Sequence, residues 1–540
     1  MAMDALTIHS ASSCSSSATR CAGAGYHPFV PSFSAQTRAA NLARMAETRF
    51  DILVIGGGIT GAGIALDAAA RGFSVALVEK EDFASGTSGR SSRLVHGGIR
   101  YLEQREFGLV HESLRERKIL LRLAPHLVRP VPMYMLADSP RTRAMYGAGL
   151  TGYDLLALGR NIGVHHSVSA EQVRAAVPGF GGKGAGYRYF ECQTDDARLT
   201  IEVVRAAHAF GALLANHARV AGFLGGSRVA GAIVMDELTG ERAEVRARVT
   251  VNAGGVWADQ IGALAGGAAE RLQPSKGVHL VFAPGAIHTE VAFIVPSAAG
   301  DGRSVFLVPW EDLVYAGTTD TPYSGNLDDP AVDPSDREYI LSAVTQNFPG
   351  VTERDVVASW AGLRPLLAPD QAGDGVTTQD LSRRHAVFEE PPGLLTITGG
   401  KLTTFRAMAE DLVDRIAATI GSAAPCLTRR IPLGLHGSLR EVLTLARAQA
   451  ARLSLPPSAG ERLVQRFGDD WREAVRMIGE ESSLGEPVVD GLPVLKVEVE
   501  LARSREMAVT AKDVFARRTR LTTRDASVAL PSAAAKSSER

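Results

Sequence analysis

A chain of 540 residues exceeds what one hydrophobic core organises, so two or three domains are expected. A formal net charge of -1 argues against a nucleic-acid binder that works by neutralising phosphates, and no apolar stretch approaches the roughly 20 residues a spanning helix needs. Cys14, Cys21, Cys192 and Cys426 form neither a CxxC pair nor a metal-ligand spacing with histidine, which speaks against a disulfide framework or a zinc site and fits a reducing compartment.

Residues 1 to about 48 are small and polar and read as unfolded. Arg20, Arg38 and Arg44, with few acids around them, resemble a transit peptide in composition, but no clear amphipathic helix supports that. The preferred reading is a start codon placed too far upstream, with Met45 as the true beginning, because MAETRFDILVIGGG then sets the first strand near an ordinary N-terminus.

The stretch Phe50 to Lys80 organises the rest of the chain. Ile52-Leu53-Val54-Ile55 reads as a buried parallel strand and runs into GxGxxG on Gly56, Gly58 and Gly61, with Ile59 and Thr60 inside the motif. Glycines suit a sharp turn, a pyrophosphate pressed against bare backbone, and a helix packed close to its strand. The small, apolar helix after the turn points its first amides at the phosphate site. A second strand, Phe73 to Val78, ends at Glu79, an acceptor placed for ribose hydroxyls. Strand, helix, strand and acid in register predict a dinucleotide site, FAD or NAD.

Beyond Lys80 a run of glycines and hydroxyl residues, Phe83 to Arg93, includes Thr87, Ser88, Ser91 and Ser92 and enters Leu94-Val95-His96-Gly97-Gly98-Ile99-Arg100-Tyr101-Leu102. Leaving a nucleotide strand, it reads as backbone lying close to a ligand. Helical patterning continues from Phe107 to Leu127. Residues 144 to 158 are weakly amphipathic, with Arg143 and Arg160 at the ends; a core or dimer-face helix is favoured over an interfacial helix lying on a bilayer. Short strands around Val220, at 229 to 235 and at 247 to 251 lead to Asn252-Ala253-Gly254-Gly255, a second strand-into-glycine passage.

Residues 276 to 322 read as antiparallel strands capping the cofactor, with His279 on the first. Leu394 to Thr404 repeats the strand-into-glycine theme at Gly399-Gly400-Lys401-Leu402-Thr403, before a helix from Phe405. The fold class expected is therefore α/β: a discontinuous Rossmann-like cofactor domain with an antiparallel-sheet cap and a C-terminal helical domain. Cofactor segments are placed at about 49-130, 190-260 and 355-425, the cap in the intervening segments, mainly 265-350, the helical domain at 431-523 and a disordered tail at 524-540.

The segments IGGGITGAGIALDAAARG, SSRLVHGGIRYLE, DDARL, VNAGGVWAD, KGVHLV, VPW, AGTTD, GLRPL and GGKLTTFR, with VFARRTRL near the C-terminus, resemble the FAD-dependent glycerol-3-phosphate dehydrogenase family of the bacterial respiratory type. The resemblance spans about residues 50 to 410 and the C-terminal motif. It implies FAD as cofactor, oxidation of sn-glycerol 3-phosphate to dihydroxyacetone phosphate, electrons passed to membrane quinone, peripheral attachment to the cytoplasmic face of the membrane, and a homodimer. It also implies cofactor contacts from Gly56, Gly58, Ile59, Thr60, Gly61, Glu79, Lys80, Thr87, Ser88, Ser91, Ser92, His96, Gly97, Gly98, Val220, Asn252, Ala253, Gly254, Gly400, Lys401, Leu402 and Thr403. The calcium loop of mitochondrial relatives is missing from the sequence.

A phosphate dianion needs fixed cations in a cleft; Arg100, Arg364, Arg383 and Lys401 are the candidates, with Tyr101 adjoining the first. Hydride loss from C2 is eased by a base that takes the hydroxyl proton, and His279 or His96, or Lys401 with a depressed pKa, could serve. A glycerophosphate oxidase is the nearest alternative, but the sequence shows no sign of a further insertion expected of that branch. A related amine or amino-acid oxidoreductase would want a carboxylate clamp and an apolar pocket. A non-catalytic flavoprotein docking through its helical domain would have no need to keep the pocket cations.

Overall fold

The computed structural model describes residues 32–103, 106–137, 139–157, 159–182, 184–267, 270–368 and 385–526, the side chains of Arg100 and Glu103 apart. The strand Arg49–Ile55 is buried on both faces and pairs in parallel with Val75–Val78 on one side and Arg242–Asn252 on the other. Leu213–Ala215 and Leu394–Gly399 extend the parallel set outward, and His385–Glu389 adds an antiparallel edge. Ile52 and Val54 face the helices Ile59–Ala70, Asp196–Ala209 and Phe405–Ile420, while Leu53 and Ile55 face the opposite way, toward the antiparallel pair Ala218–Gly225 and Val229–Asp236. Where the strand is covered on both faces it has no use for polar residues, which is why Ile52-Leu53-Val54-Ile55 is an unbroken apolar run.

A second sheet packs beside the first, and the chain alternates between them. Its central strand, Leu272–Phe282, pairs antiparallel with Val356–Leu367 along its whole length and with Leu313–Gly317 on its other edge. Ser304–Trp310, Ala292–Pro296, Arg129–Ala137 and Ala185–Gln193 continue the sheet. Every pairing is antiparallel except Ala292–Pro296 with Arg129–Ala137. Val356–Leu367, expected among the cofactor segments, lies in this cap sheet because its register runs unbroken from Leu272↔Leu367 to Val281↔Ala358.

The segment 32–48, expected to be unfolded, forms the helix Ala35–Glu47 capped by Ser34. Arg38 is buried against Asp236, 2.5 Å away, and its Nε donates to the Asn216 carbonyl at 2.7 Å. Phe33 and Met45 are fully buried in two different core clusters. Residues upstream of Met45 are thus built into the fold, through a partner almost two hundred positions away that local reading cannot see. Residues 1–31 lie outside the described residues.

Helices Leu439–Arg452, Pro457–Phe467, Trp471–Glu480 and Lys496–Arg505 surround a core of their own. The last described turn, Leu521–Arg524, is anchored by Arg524 on Glu311 and Asp312, so order extends past 524, where a disordered tail was expected to begin; residues 527–540 lie outside the described residues.

Candidate active site

Arg49–Ile55 delivers the chain to Gly56, at φ +111°, where a Cβ would lie 2.5 Å from the Ala253 carbonyl oxygen. A Cβ on Gly61 would lie 1.9 Å from the Gly56 carbonyl oxygen, so the helix Ile59–Ala70 reaches its strand through glycine. Its first turn has no side-chain cap of its own; the Ile59 N–H donates to Ser88 Oγ at 2.9 Å. Glu79 accepts from the Gly57 N–H at 2.7 Å and the Glu81 N–H at 2.9 Å. Burial lifts its carboxyl above the usual range, and the two amide donors oppose that.

Above this turn lies a cavity of about 380 Å³. Of the residues expected at the cofactor, Gly56, Gly58, Ile59, Thr60, Glu79, Lys80, Thr87, Ser88, Val220, Ala253, Gly254, Gly400, Lys401 and Leu402 line it. Three glycine-bearing strand ends and the run after Lys80 therefore converge on one space. Trp257, absent from the expected contacts, also lines it, with Lys80 Nζ 4.1 Å above its ring and Lys80 ion-paired to Asp328.

The other expected contacts lie outside the lining of this cavity and have protein partners of their own. Gly61 is consumed by helix packing. Asn252 donates to the Ala258 carbonyl at 2.8 Å and accepts from the Gly254 N–H at 3.1 Å, shaping the second glycine turn, and Thr403 is buried. Ser91 is bound to Asp196 and Ser92 to His279. Gly97 donates to Glu191 at 2.7 Å, and a Cβ on it would lie 1.6 Å from the Tyr153 hydroxyl; Gly98 packs under Tyr101. His96 meets Phe306 at a ring separation of 5.8 Å. At Gly97 and Gly98 the missing side chain leaves room for Tyr153 and Tyr101.

The cap strand Leu272–Phe282 carries His279, which is 3% exposed. Its ring stacks on Trp360 at 4.6 Å and 11°, and its Nε2 lies 2.9 Å from Ser92 Oγ. Burial first, then the positive charges of Arg364 and Arg93, hold its pKa well below the ordinary histidine value, so the imidazole is neutral at neutral pH. Arg364, on the adjacent strand, donates to Asp320 at 3.0 Å, to Thr318 Oγ1 at 3.0 Å and to the Thr319 carbonyl at 3.1 Å, which fixes its guanidinium plane. Lys401 Nζ stands 3.5 Å over the Tyr101 ring, on the short helix Arg100–Glu103. The Arg100 side chain and all of Arg383 lie outside the described residues.

Arg93, also absent from the expected set, is 2% exposed with its guanidinium 4.0 Å from Trp310 and 4.5 Å from Trp360. A serine-rich run gives no sign that its terminal arginine is buried; the signal lay in tryptophans more than two hundred residues away.

The sequence profile of the FAD dependent oxidoreductase family matches residues 51–415, and that of the C-terminal domain of alpha-glycerophosphate oxidase matches 426–536. Glycerol-3-phosphate dehydrogenase 2 of Mycobacterium tuberculosis is 39% identical over 492 residues, covering 90% of this chain and 83% of that protein. The aerobic glycerol-3-phosphate dehydrogenase of Bacillus subtilis is 36% identical over 507 residues, covering 90% of each chain. Among solved structures, the glycerol-3-phosphate dehydrogenase of Bacillus halodurans complexed with FAD superposes with a TM-score of 0.75 at 33% identity, covering 92% of this chain and 90% of that one.

Proposed function

We infer from the membership of this chain in the FAD-dependent oxidoreductase family, and from its likeness to glycerol-3-phosphate dehydrogenases along most of its length, that it is an FAD-dependent glycerol-3-phosphate dehydrogenase. The cavity suits the cofactor: bare backbone at Gly56 and Gly58 at the N-terminus of a helix whose cap residue has no side chain for a pyrophosphate to displace, and Glu79 at the end of the second strand for a ribose. Bound there, FAD supplies the hydride acceptor that no side chain can provide.

The observation that carries the assignment of roles is His279, a buried neutral imidazole on the cap strand beside Arg364. In the proposed reaction Arg364 and Lys401, with Arg100 and Arg383, hold the phosphate of sn-glycerol 3-phosphate. His279 accepts the C2 hydroxyl proton as hydride leaves C2, giving dihydroxyacetone phosphate. Its neutral state at physiological pH leaves a ring nitrogen able to accept, while burial and the same positive charges weaken it as a base; those charges in turn favour the alkoxide character developing on the substrate oxygen. His96, packed against Phe306, is the weaker candidate.

The proposal extends to electron delivery to membrane quinone, peripheral contact with the cytoplasmic face of the membrane, and a homodimer. No helix among the described residues is long and apolar enough to cross a membrane. Phe107, Met145, Leu155 and Val164 are more than half exposed, on or beside the packed helices Phe107–Leu123 and Pro140–Ala157, and such side chains suit an interfacial contact. The oxidase reading draws support from the C-terminal profile match.

One anaerobic experiment separates these readings. The holoenzyme receives sn-glycerol 3-phosphate, flavin absorbance is recorded, and then air or a soluble quinone is admitted. Bleaching with fast recovery by quinone and slow recovery in air supports the dehydrogenase; fast recovery in air with peroxide supports the oxidase. Absence of bleaching refutes the substrate assignment.

A further inference from the structure

The C-terminal helical domain reaches the cofactor sheet through a short run of arginines, and what they grip is the loop between Asp82 and Arg93. Arg517 and Arg518 both bind Asp82, fully buried at one end of that loop, each at 2.5 Å. At the other end Arg520, 3% exposed, donates to the Gly89 carbonyl at 2.9 Å, to Asp195 at 2.9 Å, and to Asp196. Asp196 in turn accepts from the Ser91 N–H at 2.8 Å and the Ser91 hydroxyl at 2.6 Å. The next residue, Ser92, holds the His279 ring nitrogen at 2.9 Å, and its carbonyl accepts from Tyr315 at 2.7 Å. Trp360, stacked on His279, donates to the Ser91 carbonyl at 3.3 Å.

We propose that Arg520 is a positioning residue for the redox reaction: through Asp196 and Ser91 it fixes the backbone of Ser92, and so the place and the tautomer of His279. The helical domain is then a working part of the active site rather than an appendage. The physical ground is that a hydroxyl–imidazole contact is useful only if the hydroxyl cannot drift, and a one-residue loop step has no stiffness of its own. A planar guanidinium with several donors supplies that stiffness: it joins a carbonyl of the loop to two carboxylates at the start of the helix Asp196–Ala209. The Arg520 links to Gly89 and Asp196 are buried and the remaining links are part-buried, so water competes least where the guanidinium grips.

The proposal rests on His279 as the proton acceptor, and the test measures both. Flavin bleaching by saturating sn-glycerol 3-phosphate is timed anaerobically in holoenzyme of the native sequence and of His279→Asn, Arg520→Gln, Ser92→Ala and the Arg520→Gln/Ser92→Ala double variant, all at matched flavin content. The expected result is slow bleaching in His279→Asn. Arg520→Gln should cost on the order of 10- to 100-fold in the saturated rate, the penalty of a misplaced catalytic group, with the half-saturating substrate concentration little changed. In that background Ser92→Ala should cost nothing further, because the two changes cut one chain of contacts. Millimolar guanidinium should restore part of the rate to Arg520→Gln. If His279→Asn bleaches normally, the assigned chemistry fails and takes the proposal with it. If His279→Asn is slow but the Arg520 and Ser92 losses multiply, the chemistry stands and the coupling is refuted. Should Arg520→Gln not yield folded holoenzyme, Arg520→Lys keeps the buried charge and loses the fork that spans the Gly89 carbonyl and both carboxylates: a slower saturated rate at unchanged half-saturation supports the proposal, and a native rate overturns it.

Discussion

At Gly61 one methyl group separates a helix seated on its strand, with the glycine turn intact, from a helix pushed off it. The added carbon would sit 1.9 Å from a backbone oxygen that cannot retreat without moving the first strand. Gly61→Ala should therefore purify without bound flavin while keeping its secondary structure, which absorbance at the flavin band and circular dichroism check. Arg364 is held by Asp320, Thr318 and Thr319, so its charge is fixed in direction before any substrate arrives. Arg364→Gln should raise the half-saturating concentration of glycerol 3-phosphate by about 10- to 100-fold, what a lost charge-assisted contact of roughly 1.5–3 kcal/mol produces. Steady-state titration decides this; an unchanged value would remove Arg364 from the phosphate site.

The helix Ala35–Glu47 shows how an element earns its place through one buried contact. Its stretch is polar and short, yet Arg38 and Asp236 neutralise each other under the sheet, and Asn41 donates to the Leu214 carbonyl at 2.9 Å. Removing one partner leaves the other without its charge-assisted bonds in a partly desolvated setting, a loss of about 1.5–3 kcal/mol. Arg38→Ala should lower the melting temperature by several degrees, and Arg38→Ala/Asp236→Ala should recover part of that loss. The helix Pro140–Ala157 divides its duties differently. Leu150 and Tyr153 are buried, with the Tyr153 hydroxyl in the space that Gly97 leaves, while Met145 and Leu155 face outward. Met145→Ser/Leu155→Ser should weaken sedimentation with lipid vesicles and leave flavin reduction by substrate unchanged; equal sedimentation would discard this face as the membrane contact.

For the whole molecule, the interface between the cofactor sheet and the C-terminal helices holds one of the buried histidines that weaken the fold in acid. His126 is 5% exposed beside Gly434 and Gly468, and neither ring nitrogen has a hydrogen-bond partner among the described residues. Burial, reinforced by Arg198 and Arg205, lowers its pKa from 6.5 to about 3. The unfolded chain therefore takes up a proton near pH 6.5 that the folded chain refuses until about pH 3. The stability this neutral ring maintains is complete above pH 6.5 and falls with decreasing pH through that window, by about 1.4 kcal/mol per pH unit. His126→Gln should flatten the difference in melting temperature between pH 7.5 and pH 5 relative to the native sequence. An identical pH dependence in the two proteins would refute it.

Whatever local chemistry announces was legible in the order of residues alone. Apolar runs ending in glycine mark three strands that reach the cavity, because only bare backbone tolerates the approach seen at Gly56 and Gly61. The discontinuous cofactor sheet was legible for the same reason. Three things emerge only in the folded chain: that Gly97 makes room for the Tyr153 hydroxyl, that Val356–Leu367 belongs to the cap, and that Arg93 and Arg520 are buried next to the active-site loop. Each depends on a partner between roughly fifty and more than four hundred positions away, and no period or motif records such a pairing. Burial of a charge is a property of what folds over it, so arginines that no local pattern singles out come to lie buried beside the site.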